Sequence, residues 1–266
     1  MSIASRSSLK RGAHIRNRVR ALAAPLSVVL TAACGQMGDA PSAPAPTEAA
    51  ATADIPAASA AAPIVVELYQ SQGCSSCPPA NDNLNALADQ PNVIALSFAV
   101  TYWDRLGWKD TFARPQYTDR QEDYARAANR GNVSTPQVVI NGGHKAIIGH
   151  DRKELEAAMA AAGPPRGGPA IQLDGSGIAL SAGPGGPAIV WLVRYDPQSR
   201  DVPIGAGENG GRTLPHRNIV RELVRLGDWK GTPVRFAIPR PEQPGLNGAV
   251  LVQRGQGGPI TAARRL

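Results

Sequence analysis

Three cysteines occur in this 266-residue chain, and two of them, Cys74 and Cys77, stand in the stretch SQGCSSCPP. Two thiols at that spacing can form a redox-active disulfide, supply half of a metal site, or close a structural crosslink. The thiolate is the form that attacks disulfides, so the question is what stabilises charge on sulfur. Ser75 and Ser76 place hydroxyl donors between the cysteines, and Leu84 and Leu87 fall on one face of a helix predicted over 80–88, with Pro79 suited to its first turn. A helix N-terminus offers unpaired N–H groups and the positive end of the dipole. On this geometry Cys74, expected to face solvent at a strand end, is the attacking thiol. Cys77, one turn into the helix, is the resolving thiol. A disulfide between the two closes so short a loop that it constrains the unfolded chain little, which favours chemistry over a staple in an oxidising compartment.

Other residues of chemical type gather in three short stretches. Tyr102, Trp103 and Trp108 lie in one loop, which holds two of the four tryptophans of the chain; they either wall a pocket beside Cys74, as substrate contacts, or pack the loop onto the body. Lys109 adds a charge there and reads as solvated surface. Thr135-Pro136 precedes an apolar run, and a proline without an N–H, if cis, would bring its neighbours' backbone across from the sulfurs. His144 and His150 are the histidines that could join the thiols on a metal.

The elements that must position these groups begin abruptly at residue 64. Apolar runs predict strands over 64–68, 93–100 and 136–140, and a fourth over 146–148 after the Asn141-Gly142-Gly143 turn. Helices are predicted over 80–88, 118–129 and 151–162, the last with Asp151 as its N-cap. The order is β, α, β, α, β, β, α. Residues 163–169 read as a Gly/Pro-rich linker, and 170–266 as a small β-rich domain with runs at 188–193, 234–238 and 249–252. Ile219, Val220, Leu223, Val224 and Gly227 fit helical spacing, so one helix is expected to interrupt that domain.

The N-terminus is of another kind. The chain carries a formal net charge of +7, but six of its basic residues and no acid lie in residues 1–33, which leaves about +1 for the remainder and argues against nucleic acid. Those basic residues precede an uncharged run at 21–33, too short for the roughly 20 residues of a membrane-spanning helix. Residues 1–33 therefore read as an export signal. The run ends in Leu30-Thr31-Ala32-Ala33-Cys34, which resembles the lipobox of bacterial lipoproteins, in which the cysteine is acylated and becomes the mature N-terminus; ordinary cleavage after a small residue is the other reading. Residues 34–63 are dominated by Ala, Pro, Ser and Thr and read as a tether with a reach of roughly 30 Å.

A Cys-x-x-Cys at the end of the first strand and Val133-Ser134-Thr135-Pro136 before the third, in this element order, resemble the thioredoxin fold over 64–162. The stretches VVELYQSQGCSSCPPA, VTYWDRLGWKDTFARP, STPQVVING and GENGGRTLPHRNIVRELVRLGDW are similar to an exported bacterial family of unknown function with a thioredoxin-like N-terminal half. The resemblance implies an α/β chain, a thioredoxin-like domain followed by the small β-rich domain, with Pro136 a cis-proline facing the dithiol. Gly73 stands where thioredoxins carry tryptophan, and Leu68 stands where they carry a buried acid, with Glu67 one residue further back. A one-residue shift along a strand reverses the face. Exported thioredoxin-like copper chaperones use a cysteine pair with one histidine and supply the rival reading, a non-enzymatic binding protein or copper carrier. A zinc site needs four ligands and finds two good candidates. The reading that emerges is an exported thiol–disulfide oxidoreductase-like protein without cofactor or metal, acting in the periplasm or cell envelope on proteins with thiols or disulfides. Its membrane contact is a lipid on Cys34. Cys34→Ser should accordingly move the protein from the membrane fraction to the soluble fraction on cell fractionation; a wild-type protein already soluble, with another N-terminal residue, would exclude the lipid.

Overall fold

The computed structural model describes residues 62–266 except Ser176. The export signal, Cys34 and all but the end of the tether lie outside the described residues. The chain forms a mixed α/β structure with a large mixed sheet and few helices. Its first half runs β1 (Ile64–Gln70), α1 (Pro78–Leu87), β2 (Val93–Ala99), α2 (Pro115–Ala127), β3 (Gln137–Ile140) and α3 (Arg152–Ala162), with a single 3-10 turn at Asp104–Leu106. Its second half is β4 (Ile171–Asp174), β5 (Gly177–Leu180), β6 (Ala188–Asp196), β7 (Arg200–Pro203), β8 (Thr213–His216), β9 (Ile219–Trp229), β10 (Val234–Ala237), β11 (Asn247–Gln253) and β12 (Ile260–Arg265). No helix among the described residues is long and apolar enough to cross a membrane.

Seven strands share one sheet in the order β12-β11-β6-β9-β2-β1-β3. β1 pairs parallel with β2 and antiparallel with β3, while β6, β9, β11 and β12 pair antiparallel among themselves. The halves expected on either side of residues 163–169 therefore share a sheet. They meet where Ser97 of β2 pairs parallel with Ile219 of β9. β10, β5 and β4 make a separate three-stranded sheet, and β7 and β8 a hairpin.

Strand alternation sorts the core into layers. Val66 and Leu68 pack with Ala80, Leu84 and Leu87 of α1 and with Leu155 and Met159 of α3. Val65 and Tyr69, on the opposite face, pack with Tyr117 and Tyr124 of α2 and with Val193, Val220 and Leu251 of the second half. Asp151 caps α3 as expected, its side chain accepting from the N–H groups of Lys153 and Glu154.

Two expectations fail, each for a local reason. Residues 219–227 are strand, not helix. β9 carries two register shifts against β6, passing over Arg221 and Leu226, and its buried positions 219, 220, 222 and 223 follow the bulges. An extra residue in a strand resets the alternation, so the apolar spacing imitates a helix. Gly227 has φ 153°, and a Cβ there would come 2.6 Å from the Phe236 ring. The strand expected at 146–148 is reduced to one bridge, Val138 with Ile147.

Between the sheet and α2 lies a buried ion pair. Arg120 donates to Glu67 Oε1 from Nε at 3.0 Å and Nη2 at 2.7 Å, and from Nη1 to Gln253 Oε1 at 3.0 Å. Its guanidinium also lies 5.3 Å from the Tyr124 ring centroid and 5.6 Å from that of Trp191. Removing one partner of such a pair leaves a charge without compensation in a dry interior. Arg120→Met should cost about 3–5 kcal/mol in urea unfolding, and the double variant Glu67→Gln/Arg120→Met should recover part of that loss. A single-variant cost below ~1 kcal/mol would mean the pair does not hold α2 to the sheet.

Candidate functional site around the cysteine loop

β1 ends at Gln70 and α1 begins at Pro78, so the cysteines occupy the short turn between an interior strand of the sheet and a helix. Cys74 and Cys77 are joined by a disulfide. The turn is closed by its own backbone: Cys74 N–H donates to Ser71 O and Cys77 N–H to Cys74 O, each at 3.1 Å. Cys77 is the N-cap residue of α1, and Pro78 and Pro79 open the helix. Two of the N–H groups that a helix start would offer are therefore missing, and the donor supply expected around Cys74 is smaller than a helix end implies. Of the two expected hydroxyls, Ser76 Oγ lies 3.4 Å from Cys74 Sγ, but Ser75 Oγ points to Glu208.

The expectation that Cys74 faces solvent is not met: its relative exposure is 0%, and that of Cys77 is 2%. The second half of the chain packs against this turn. Residues 204–212, which connect β7 to β8, lie against the cysteine loop. Asn209, itself fully buried, donates from Nδ2 to the carbonyls of Gln72 and Cys74, both at 2.9 Å. Glu208 accepts from the Ser75 hydroxyl at 2.6 Å and its N–H at 3.1 Å, contacts that hold its carboxyl below the usual carboxylate range. Sequence reasoning missed both residues as site residues; the only signal was their place in the stretch GENGGRTLPHRN.

The aromatic loop frames the same turn. Trp103 donates from Nε1 to Thr135 Oγ1 at 2.7 Å, and a Cβ at Gly73 would come 3.5 Å from Trp103 Cβ. Trp103 thus stands between the cysteine loop and the Thr135-Pro136 segment, whose peptide bond is cis. Trp108 donates to Gln72 Oε1 at 2.9 Å and packs against the covering loop, where Cβ atoms at Gly205 and Gly207 would come within 3.0 and 3.3 Å of it. Tyr102 donates to Gln121 Oε1 at 3.2 Å, and burial pushes its hydroxyl up to about 12. All three aromatics are half-buried. Lys109 is exposed.

Glu67 is committed to Arg120 on the face opposite α1, whereas Leu68 packs under α1, so the strand alternation carries the acid away from the thiols. Of the two histidines, His144 is exposed, and His150 donates from Nε2 to the Ser76 carbonyl at 2.6 Å. Among the described residues no group of three or more His, Cys, Asp or Glu side chains could hold a metal.

Residues 65–253 match the family described as "Protein of unknown function (DUF1223)". The chain belongs to that family. It is 30% identical to AGR_C_4864 of Agrobacterium tumefaciens, whose X-ray structure it matches with a TM-score of 0.64 over 79% of this chain and 96% of that one. A weaker likeness, 11% identical with a TM-score of 0.49, is to HBP35 of Porphyromonas gingivalis, over 77% of this chain and 75% of that chain. No curated protein matched the chain.

Two buried groups beside this turn titrate in opposite senses. Asp110 accepts from the Gln72 N–H at 2.7 Å and the Phe112 N–H at 2.8 Å, and burial raises its carboxyl to about 6. His216, 1% exposed and edge-on to the Phe112 ring, has no hydrogen-bond partner on either ring nitrogen among the described residues, and burial lowers it to about 4. The native Asp110 keeps its proton where the unfolded chain has lost it, so its contribution is full below about pH 4 and is lost as pH rises through 6. The native His216 refuses a proton that the unfolded chain takes up, so its contribution is present above about pH 6.5 and is lost as pH falls through 4. At about 1.4 kcal/mol per unit each effect approaches roughly 3 kcal/mol, and in the wild type they oppose each other. Urea unfolding between pH 6.5 and 4 should show Asp110→Asn losing stability relative to wild type, and His216→Leu gaining it. Parallel pH profiles for all three proteins would contradict both assignments.

Proposed function

We propose that this chain is an exported thiol–disulfide oxidoreductase of thioredoxin-like build, held at the cell envelope through Cys34 and acting on envelope proteins with thiols or disulfides. The observation that carries this reading is the Cys74–Cys77 disulfide, placed where an interior strand hands over to a helix. Its cysteines are three residues apart, so it adds little to the stability of the chain and its placement is better explained by exchange chemistry. The arrangement around it supports the thioredoxin-like build. β1 lies between parallel β2 and antiparallel β3, α1 and α3 share one face with α2 on the other, and the Thr135-Pro136 segment enters β3 beside the cysteine loop through Trp103.

In the oxidised form a substrate thiolate attacks Cys74 Sγ, forms a mixed disulfide and expels Cys77 as a thiolate. A second substrate thiolate then attacks the substrate sulfur of the mixed disulfide and expels Cys74. The substrate gains a disulfide and loses two electrons; the protein gains them as the dithiol, with protons taken from the two substrate thiols. The Ser76 hydroxyl, 3.4 Å from Cys74 Sγ, is placed to donate to the leaving thiolate. Run backwards, the same steps reduce a substrate.

Equilibration in glutathione buffers, with free thiols counted by alkylation and mass spectrometry, should place the couple between roughly −120 and −270 mV, the range of exchange-active dithiols. Cys77→Ala should trap envelope proteins as mixed disulfides, because no resolving thiol remains, and Cys74→Ala should trap none. A couple below about −300 mV, as structural disulfides have, together with no trapping, would refute the function.

A further inference from the structure

The 204–212 loop meets the cysteine turn along its polar edge. It takes up the Ser75 N–H and hydroxyl through Glu208, and the Gln72 and Cys74 carbonyls through Asn209. These are the backbone groups beside the sulfurs to which an incoming polypeptide would hydrogen-bond. The loop is braced for this task. Ile204 N–H donates to Arg212 O at its base, at 2.9 Å, Arg212 N–H donates to Asn209 O at 3.1 Å, and Arg212 Nη1 holds Asn209 Oδ1 at 2.7 Å, which fixes the amide with its Nδ2 toward the cysteines. Beyond it, β8 is bound to α1: Asn81 and Asn85 both donate to Pro215 O, and Arg217 pairs with Asp89 at 2.7 and 2.8 Å. The base of the loop is therefore anchored to the very helix that carries Cys77, while residues 205–208 at its tip are exposed and include Gly205 and Gly207.

We propose that Glu208 and Asn209 are specificity-determining residues of the dithiol, forming a cap that keeps small thiols from Cys74 and yields only to a polypeptide that replaces their hydrogen bonds. This rests on the thiol–disulfide reading above. Cys74 has 0% exposure, and the loop bonds the backbone at Gln72, Cys74 and Ser75 on either side of it. It also sets the class of partner: a chain segment donating to the two carbonyls and accepting from Ser75, not glutathione or another free thiol.

The test is the rate at which dithiothreitol reduces the Cys74–Cys77 disulfide of the full chain, in wild type, Glu208→Ala and Asn209→Ala, at low salt and in 1 M NaCl. Each substitution should raise the rate about tenfold or more, the factor that ~1.4 kcal/mol represents. The gain should persist in 1 M NaCl, where the Debye length falls to about 3 Å. Glu208 is exposed, so its variant keeps the comparison valid should the buried Asn209 prove necessary for folding. Rates within twofold of wild type in folded variants would overturn the cap. So would a gain for Glu208→Ala that vanishes in high salt, which would assign the effect to charge repulsion of the attacking thiolate. Unchanged rates with successful trapping by Cys77→Ala would remove the cap and leave the oxidoreductase; faster rates with no trapping would keep the cap and remove the protein substrates.

Discussion

A short backbone junction holds the two halves of this chain in one sheet, and the chemistry around the cysteines depends on it. Ser97 N–H donates to Asn218 O at 2.9 Å, and Asn218 returns a hydrogen bond from Nδ2 to Ala95 O at 3.0 Å. Asn218 adopts φ 50°, a left-handed conformation that asparagine tolerates better than most residues. The chain can therefore turn there from β8 into β9 and lay β9 beside β2. Once β9 is fixed, β8 immediately before it has little freedom, and it falls against α1. The covering loop follows from β8 in turn. The place of that loop beside the cysteine turn is thus tied to strand pairing some distance from the sulfurs.

The interior on the α2 side is built on another constraint, the burial of Glu67. A carboxylate at 0% exposure must be compensated, and Arg120 supplies a guanidinium whose remaining N–H groups reach Gln253 and Tyr124. Because Gln253 belongs to β11, this network also ties the first half to the second. Its cost to the site is chemical. The strand acid nearest the cysteines is consumed by architecture, and the hydroxyl beside Cys74 Sγ is that of Ser76, outside β1.

The cysteine turn itself is economical in donors. Two prolines remove N–H groups from the start of α1, the Cys77 N–H is used within the turn, and that of Ser75 goes to Glu208. Each of these takes away a group that could stabilise a thiolate, and the Glu208 carboxylate adds a negative charge nearby. The arrangement therefore favours the sulfurs as a covered, neutral disulfide over an exposed thiolate. Displacing Glu208 would free the Ser75 N–H.

Local pattern was enough to place most of the first half: the strand before the cysteines, the helix after them, the Asp151 cap and the order of the elements around the cysteine turn. Such features are written in neighbouring residues, through apolar alternation, helical spacing and capping chemistry. The sequence also marked Cys74 and Cys77 by their spacing and linked Thr135-Pro136 to them through the thioredoxin resemblance, while the tryptophan loop stayed open between a pocket wall and plain packing. What it left undecided depends on contacts between distant segments. The two bulges in β9 disguised a strand as a helix, since only the register against β6 reveals which residues are surplus. The face of Glu67 was legible from alternation, but its partner, 53 positions away, was not. Cys74 is buried, and its carbonyl is bonded by Asn209, 135 positions away, with no local period to link the two. Whether a thiol at a strand end is open or covered is decided by what the rest of the chain lays over it, and that is a property of tertiary packing alone.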